Sequence, residues 1–295
     1  SGEENVALGY QALKAFTTGK QNNIIGYRAG YSITTGQSNQ YIGYYAGFYG
    51  TSGRFNVAIG GSSQQGASGQ TDGEYNVSLG QSSLFSLTTG NHNFVVGGNA
   101  GYSLTSGEHN VIIGSAAGDA LTTTSNSVMI GRDAGTNINS ADANGTVLVG
   151  VNAGRALTDG QYNTAIGYEA LTTNKRNDHN TAVGYRALMS YSGSAAGTGG
   201  NTAVGSWCGD SVSTGTHNTL MGYYAGQGLT TAGGSVYIGS QAGYQTTTGT
   251  YNTVIGNEAL WHNVVGGYNT VIGHKAGQYA TGSNNTYIGF YSGQG

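Results

Sequence analysis

One short phrase, returning at a fixed interval, constrains this chain more than anything else in it. Asn163-Thr164-Ala165-Ile166-Gly167-Tyr168-Glu169-Ala170-Leu171 recurs with variations from one end to the other. The glycine after the aliphatic residue marks each copy, at Gly9, Gly26, Gly43, Gly60, Gly80, Gly97, Gly114, Gly131, Gly150, Gly167, Gly184, Gly205, Gly222, Gly239, Gly256, Gly273 and Gly289. Twelve of the sixteen steps between markers are 17 residues long, and the exceptions are 20, 19, 21 and 16. A period of this size held along a whole chain predicts an all-β, parallel β-solenoid (a β-roll) of about 17 coils, a single repeat domain over residues 1–295. Solenoids grow by adding coils and need no second core, so length alone does not argue for two domains.

Each phase of the repeat carries its own expectation. The residue before the marker is always Leu, Ile, Val or Met, and the one three before it is usually Val or Thr. β-Branched residues at alternate positions predict a short strand. These two positions share a face, and the uniform aliphatic one is the expected inner core. The position between them (Ala7, Ile24, Tyr41, Val95, Ile112, Met129) is also mostly apolar. A strand apolar on both faces is expected to be covered on both, here by a neighbouring chain. The alternative is a solvent face with scattered apolar residues.

Four before the marker stands an asparagine column: Asn5, Asn22, Asn39, Asn56, Asn76, Asn93, Asn110, Asn163, Asn180, Asn201, Asn218, Asn252, Asn269 and Asn285, with Ser127, Thr146 and Ser235 in the remaining coils. Asparagine suits a corner with unusual backbone angles, and stacked amides can form a ladder from coil to coil. Three after the marker the residue is always small, which predicts a tight inner corner, and Cys208 takes that place in one coil as a buried apolar filler. Seven after the marker, Phe16, Ile33, Leu87, Leu104, Leu121, Ile138, Leu157, Val212 and Leu229 supply a second inward layer. Turns such as Thr17-Thr18-Gly19 and Thr247-Thr248-Gly249 follow, with glycine expected at positive φ. Each repeat is thus expected to hold two strands and two corners, and the stack to form a rod on the order of 80 Å long. The long steps place insertions near 65–75, 136–145 and 191–200.

Chemistry is sparse. Charged residues make up 8% of the chain and the net charge is −3, with no basic stripe for nucleic acid. No apolar run approaches a membrane span. The chain begins and stops part-way through a repeat and shows no polar capping coil, which predicts either a piece of a longer fibre or head-to-tail stacking. The carboxylates do not cluster, no pair is offered for glycoside hydrolysis, and no cofactor, zinc or phosphate motif is present, so no enzyme is expected. His92, His109, His179 and His217 share a phase with Tyr75, Tyr162, Tyr251 and Tyr268 and are expected to line a flat polar-aromatic column and not a metal site. Tyr10, Tyr27, Tyr44, Tyr168, Tyr185 and Tyr223 follow the marker directly. Stacked a rung apart, they would pack between chains or form platforms for sugar rings.

Asn56-Val57-Ala58-Ile59-Gly60 and Asn163-Thr164-Ala165-Ile166-Gly167-Tyr168-Glu169-Ala170 resemble the head repeats of YadA-type trimeric autotransporter adhesins. They resemble still more the Asn-Thr-Ala-Ile-Gly-Tyr-x-Ala-Leu arrays of tail-fibre-like surface proteins. The resemblance implies a left-handed roll, a homotrimer and attachment at a cell or virion surface, with a cell-surface glycan or protein as partner. The repeat is longer than in the autotransporter heads, and their heptad stalk and membrane anchor have no counterpart in this sequence. Two further expectations stand beside it: an extracellular filament built by end-to-end stacking, and an ice-binding solenoid displaying the threonine column Thr164, Thr181, Thr202 and Thr219.

Overall fold

The computed structural model describes residues 2–67, 73–193 and 198–294. Parts of the first and third expected insertions, residues 68–72 and 194–197, lie outside the described residues. Contacts divide the chain into two compact units, Ser1–Thr146 and Val147–Gly295. Both are parallel β-solenoids. In the first, eight three-residue strands run from β1 (Val6–Leu8) to β8 (Val128–Ile130), each pairing with the next. In the second, nine run from β9 (Val147–Val149) to β17 (Thr286–Ile288) in the same way.

Register follows the repeat phase whatever the step length. Thr164 pairs with Thr181 across a regular step. Thr181 pairs with Thr202 across a long one, and Thr270 with Thr286 across the short one. Extra residues are therefore taken up away from the strand. In the insertion at 136–145 they form a 3-10 turn, Ala141–Ala143, capped by the Ser140 hydroxyl, which accepts from the Asp142 amide at 3.1 Å. Its Ala143 side chain is buried in the core.

The expected faces are exchanged. The middle residue of each strand points into the coil: Ile24, Val95, Ile112, Met129, Leu148, Leu220 and Tyr237 are fully buried. The uniform aliphatic before the marker faces out, with Leu8 64%, Ile166 39% and Met221 46% exposed. The physical reason lies in what each column must satisfy. Outward residues meet the same neighbour above and below in every coil, so one side-chain type serves throughout. Inward residues share a fixed volume with two other inward positions, so they trade size among themselves.

That trade is visible residue by residue. In most coils with a small middle residue a leucine stands four after the marker, as in Ala165 with Leu171, Ala182 with Leu188 and Ser78 with Leu84, while Ala58 has Gln64 and Ala203 has Gly209. Where it is large, a glycine usually does, Val254 with Leu260 being an exception, and a Cβ on Gly47 or Gly243 would collide with the ring of Tyr41 or Tyr237. The layer seven after the marker completes the filling: Leu104, Leu121, Leu157, Val212 and Leu229 are fully buried. Each such aliphatic contributes roughly 1.5–3 kcal/mol. Ala165→Leu is therefore expected to cost about 1–3 kcal/mol by overpacking. Leu171→Gly should cost about 2–5 kcal/mol by leaving a cavity. The double variant should recover most of both losses in a denaturant double-mutant cycle, and simple additivity would contradict the shared volume.

Among the described residues there is no second strand in the coils. The rest of each coil is a run of turns, yet it keeps bonding to the next coil, as in Gly209 N–H to Ala225 O at 3.0 Å and Thr230 N–H to Thr247 O at 2.9 Å. Left-handed residues bend it: in the coil of Gly167 these are Tyr162, Glu169 and Leu171, with φ of 52°, 54° and 53°. Among the described residues, none of the non-glycine residues in this conformation is β-branched, in keeping with the steric cost there. The left-handed corner thus falls one residue before the asparagine column and not on it. The turn glycines Gly19, Gly36, Gly90 and Gly249 are not at positive φ. They are small because the chain passes close to the next coil; a Cβ on Gly36 would lie 2.9 Å from Gly53 O.

Candidate functional site

The asparagine side chains lie inside the corner, at 0 or 1% exposed from Asn22 to Asn269, and they bond to one another. Asn93 Nδ2 donates to Asn76 Oδ1 at 3.0 Å and to Gly107 O at 2.9 Å. Its Oδ1 accepts from both Asn110 N–H at 3.1 Å and Asn110 Nδ2 at 3.0 Å. Every polar atom of the side chain is engaged along the column, which leaves nothing facing a ligand. Asn5 and Asn285, at the outer rungs, keep the same bonds in more open surroundings. Ser235 substitutes in one coil by accepting from Asn252 N–H at 3.1 Å. Cys208 is fully buried, and burial pushes its thiol up to about 12, so it carries no nucleophile at neutral pH.

The surface is where chemistry is on offer. Tyr10, Tyr27 and Tyr44 stack in a column, with ring centroids 5.3 and 5.5 Å apart. In the second unit Tyr168 and Tyr185 stack at 5.4 Å, and Ser206 takes the next place, so Tyr223 stands apart and packs edge-on against Tyr224 at 4.1 Å. All six are at least 40% exposed. Cations border them. Arg28 donates to Tyr45 Oη at 3.1 Å and to Gln11 Oε1 at 2.9 Å, and the tyrosine bond raises the guanidinium above its ordinary value. Arg186 donates to Glu169 at 2.7 Å and lies 4.8 Å over the Trp207 ring. These +2 partners are left-handed residues whose role the periodicity of apolar positions could not reveal.

The histidine phase is a second aromatic column. Phe55, Tyr75, His92 and His109 stack face to face at 4.8, 5.0 and 4.8 Å. Parallel rings hold their nitrogen lone pairs in parallel planes, not converging on one ion. Among the described residues no group of three or more His, Cys, Asp or Glu could hold a metal. His179 tilts against Tyr162 at 5.4 Å, and His217 has no ring partner among the described residues. Among the described residues the Asp119 carboxyl is raised by burial and by the neighbouring Asp133. Asp133 is itself paired with Arg132 at 3.7 Å. No helix among the described residues is long and apolar enough to cross a membrane.

No family model, no curated protein and no solved structure matches this chain.

Proposed function

We propose that the chain is a segment of an extracellular, fibre-like adhesin, without catalytic activity, whose β-solenoid protomers pack side by side as a homotrimer and attach to a surface glycan or protein. The outward aliphatic column of the second unit carries the proposal: Ile255, Ile272 and Ile288 present a line of apolar side chains to solvent on successive coils, and Ile166 and Met221 are exposed at the same phase. Isolated exposed aliphatics are ordinary, but a continuous line is a surface that association would cover. The middle column, which first suggested a covering chain, lies inside the coil and gives no support. Tyrosine columns around the next corner supply rigid contact area for attachment.

Sedimentation of the intact chain is expected to give a trimer, and a stable monomer across the micromolar range would remove the proposal. Ile255→Lys with Ile272→Lys should dissociate the assembly while leaving its circular dichroism unchanged, because neither side chain supports the core. Mass that keeps growing with concentration would instead mark end-to-end filaments. Thr164, Thr181, Thr202 and Thr219 do form one outward, in-register column, which keeps ice binding as a second reading. Thermal hysteresis decides it.

A further inference from the structure

The aromatic column that contains the histidines has missing rungs at Gly200 and Gly234, and the second of these forms a notch. In the second unit it runs His217, Gly234, Tyr251, Tyr268 on successive coils. Gly234 keeps the left-handed backbone of its neighbours, with φ of 65° against 59° at His217 and 56° at Tyr251. Rung-to-rung bonds continue through it, from Gly234 N–H to Thr216 O at 3.0 Å and from Tyr251 N–H to Gly233 O at 3.1 Å. Only side chains are absent, and two at once: the coil below reads Thr216-His217 and the coil above Thr250-Tyr251, while the middle one reads Gly233-Gly234.

The result is a notch of about 310 Å³, floored by Gly233 and Gly234 and walled by Thr216, His217, Thr250 and Tyr251, with Thr231 at its edge. Its walls stand two rungs apart, about 9.6 Å. The Tyr251 ring leans over this floor, since a Cβ on Gly234 would lie 2.7 Å from its Cε1, so a ligand ring takes the space left between it and His217. Tyr251 is backed by Tyr268 at 5.2 Å and is 58% exposed, and the Cδ1–Cε1 edge of its ring lies over Gly234. None of the three threonine hydroxyls bonds another group among the described residues. A saturated ring with hydroxyls on its edge matches this lining. Its C–H face lies on the negative face of Tyr251, and its hydroxyls reach the threonines.

We infer that this notch binds one pyranose unit of a glycan. The inference deepens the attachment proposed above and rests on it for its biological sense, though not for its geometry. A single ring in a shallow site binds with a dissociation constant on the order of millimolar.

The test is saturation-transfer and amide-shift NMR on the intact chain, with methyl glucopyranoside, methyl galactopyranoside, methyl mannopyranoside and p-cresol as probes. At least one pyranoside should shift the amides of His217, Gly234 and Tyr251 and saturate near ~10 mM. Gly234→His refills the rung with a side chain that sister coils carry at the same φ; its Cβ would lie 2.7 Å from the Tyr251 ring, so that ring must swing back, and with circular dichroism unchanged the variant should weaken binding at least tenfold. Tyr251→Ala should do the same by removing the wall. No shift with any pyranoside at ~50 mM, unchanged binding in Gly234→His, or binding of p-cresol alone would each overturn the inference. Retention of whole-assembly attachment to a glycan array by Gly234→His would leave the attachment proposal standing while the notch fails. Loss of all attachment by the wild-type chain, with pyranoside still bound at the notch, would do the reverse.

Discussion

Gly222→Ala is expected to be among the most damaging single substitutions in the chain, costing about 3–5 kcal/mol and opening the coils on either side of it. Two independent terms act. Gly222 sits at φ +134°, a region that residues with a Cβ rarely adopt, and an added Cβ would lie 2.6 Å from Gly239 O and 2.7 Å from its carbonyl carbon. The clash is with backbone, which cannot rotate away as a side chain could. The next marker is held in turn by the coil beyond, so the strain cannot be released in one place. Gly98→Ala is the control, because a Cβ there meets nothing within 4 Å. Denaturant unfolding and native-state hydrogen exchange should show a large loss for the first and almost none for the second. Equal, small effects would mean that the marker glycine is not needed for close coil stacking.

The second large effect is expected in the asparagine column. Asn93→Ala removes two donated and two accepted bonds and strands two donors of Asn110 in a corner that is closed to water. Each unsatisfied buried group costs about 1–3 kcal/mol, so the sum is about 3–5 kcal/mol. Asn93→Ser should cost less, because Ser235 already relays the column in its own coil. Asn93→Asp separates donor from shape. Its carboxylate would still accept from Asn110, but its other oxygen would face the acceptors Asn76 Oδ1 and Gly107 O. The folded state therefore favours the protonated acid and raises its pKa above the unfolded value near 3.9. The folded state then binds more protons, so stability falls as pH rises through that raised pKa and recovers as pH is lowered below it. Melting of Asn93→Asp between pH 4 and 8 checks the sign; a stability that rises with pH across this range, relative to the parent chain, would contradict the donor role.

Much of this architecture was legible from residue order alone. The 17-residue period located every strand, the small column after the marker lies at buried corners, and the aliphatics seven after it form an inward layer. The faces were not legible by uniformity. A three-residue strand has one residue on one side and two on the other, and alternation cannot say which side is inside. The deciding signal was compensation: Ala165 with Leu171 against Tyr237 with Gly243 exchanges volume between two positions, which only residues sharing a core must do. The absent second strand was hidden for a different reason. Its turns rest on left-handed Arg28, Glu169 and Trp207, residue types that do not advertise that conformation. The notch could have been seen in the sequence, since Gly233-Gly234 falls between Thr216-His217 and Thr250-Tyr251, but a missing side chain leaves no apolar pattern to follow.

Coil-by-coil stacking in register is the claim on which all of this depends, and paired spin labels measure it directly. Val265, Thr214, Arg176 and Asp159 occupy one phase of the repeat in the second unit. Relative to Val265 they are three, five and six coils away, so nitroxide distances should centre at about 14, 24 and 29 Å, rising by about 4.8 Å per coil. The 21-residue step between Gly184 and Gly205 should add one rung and no more. Distances that scale with the number of intervening residues, or that fail to rise with coil number, would contradict the stacked solenoid.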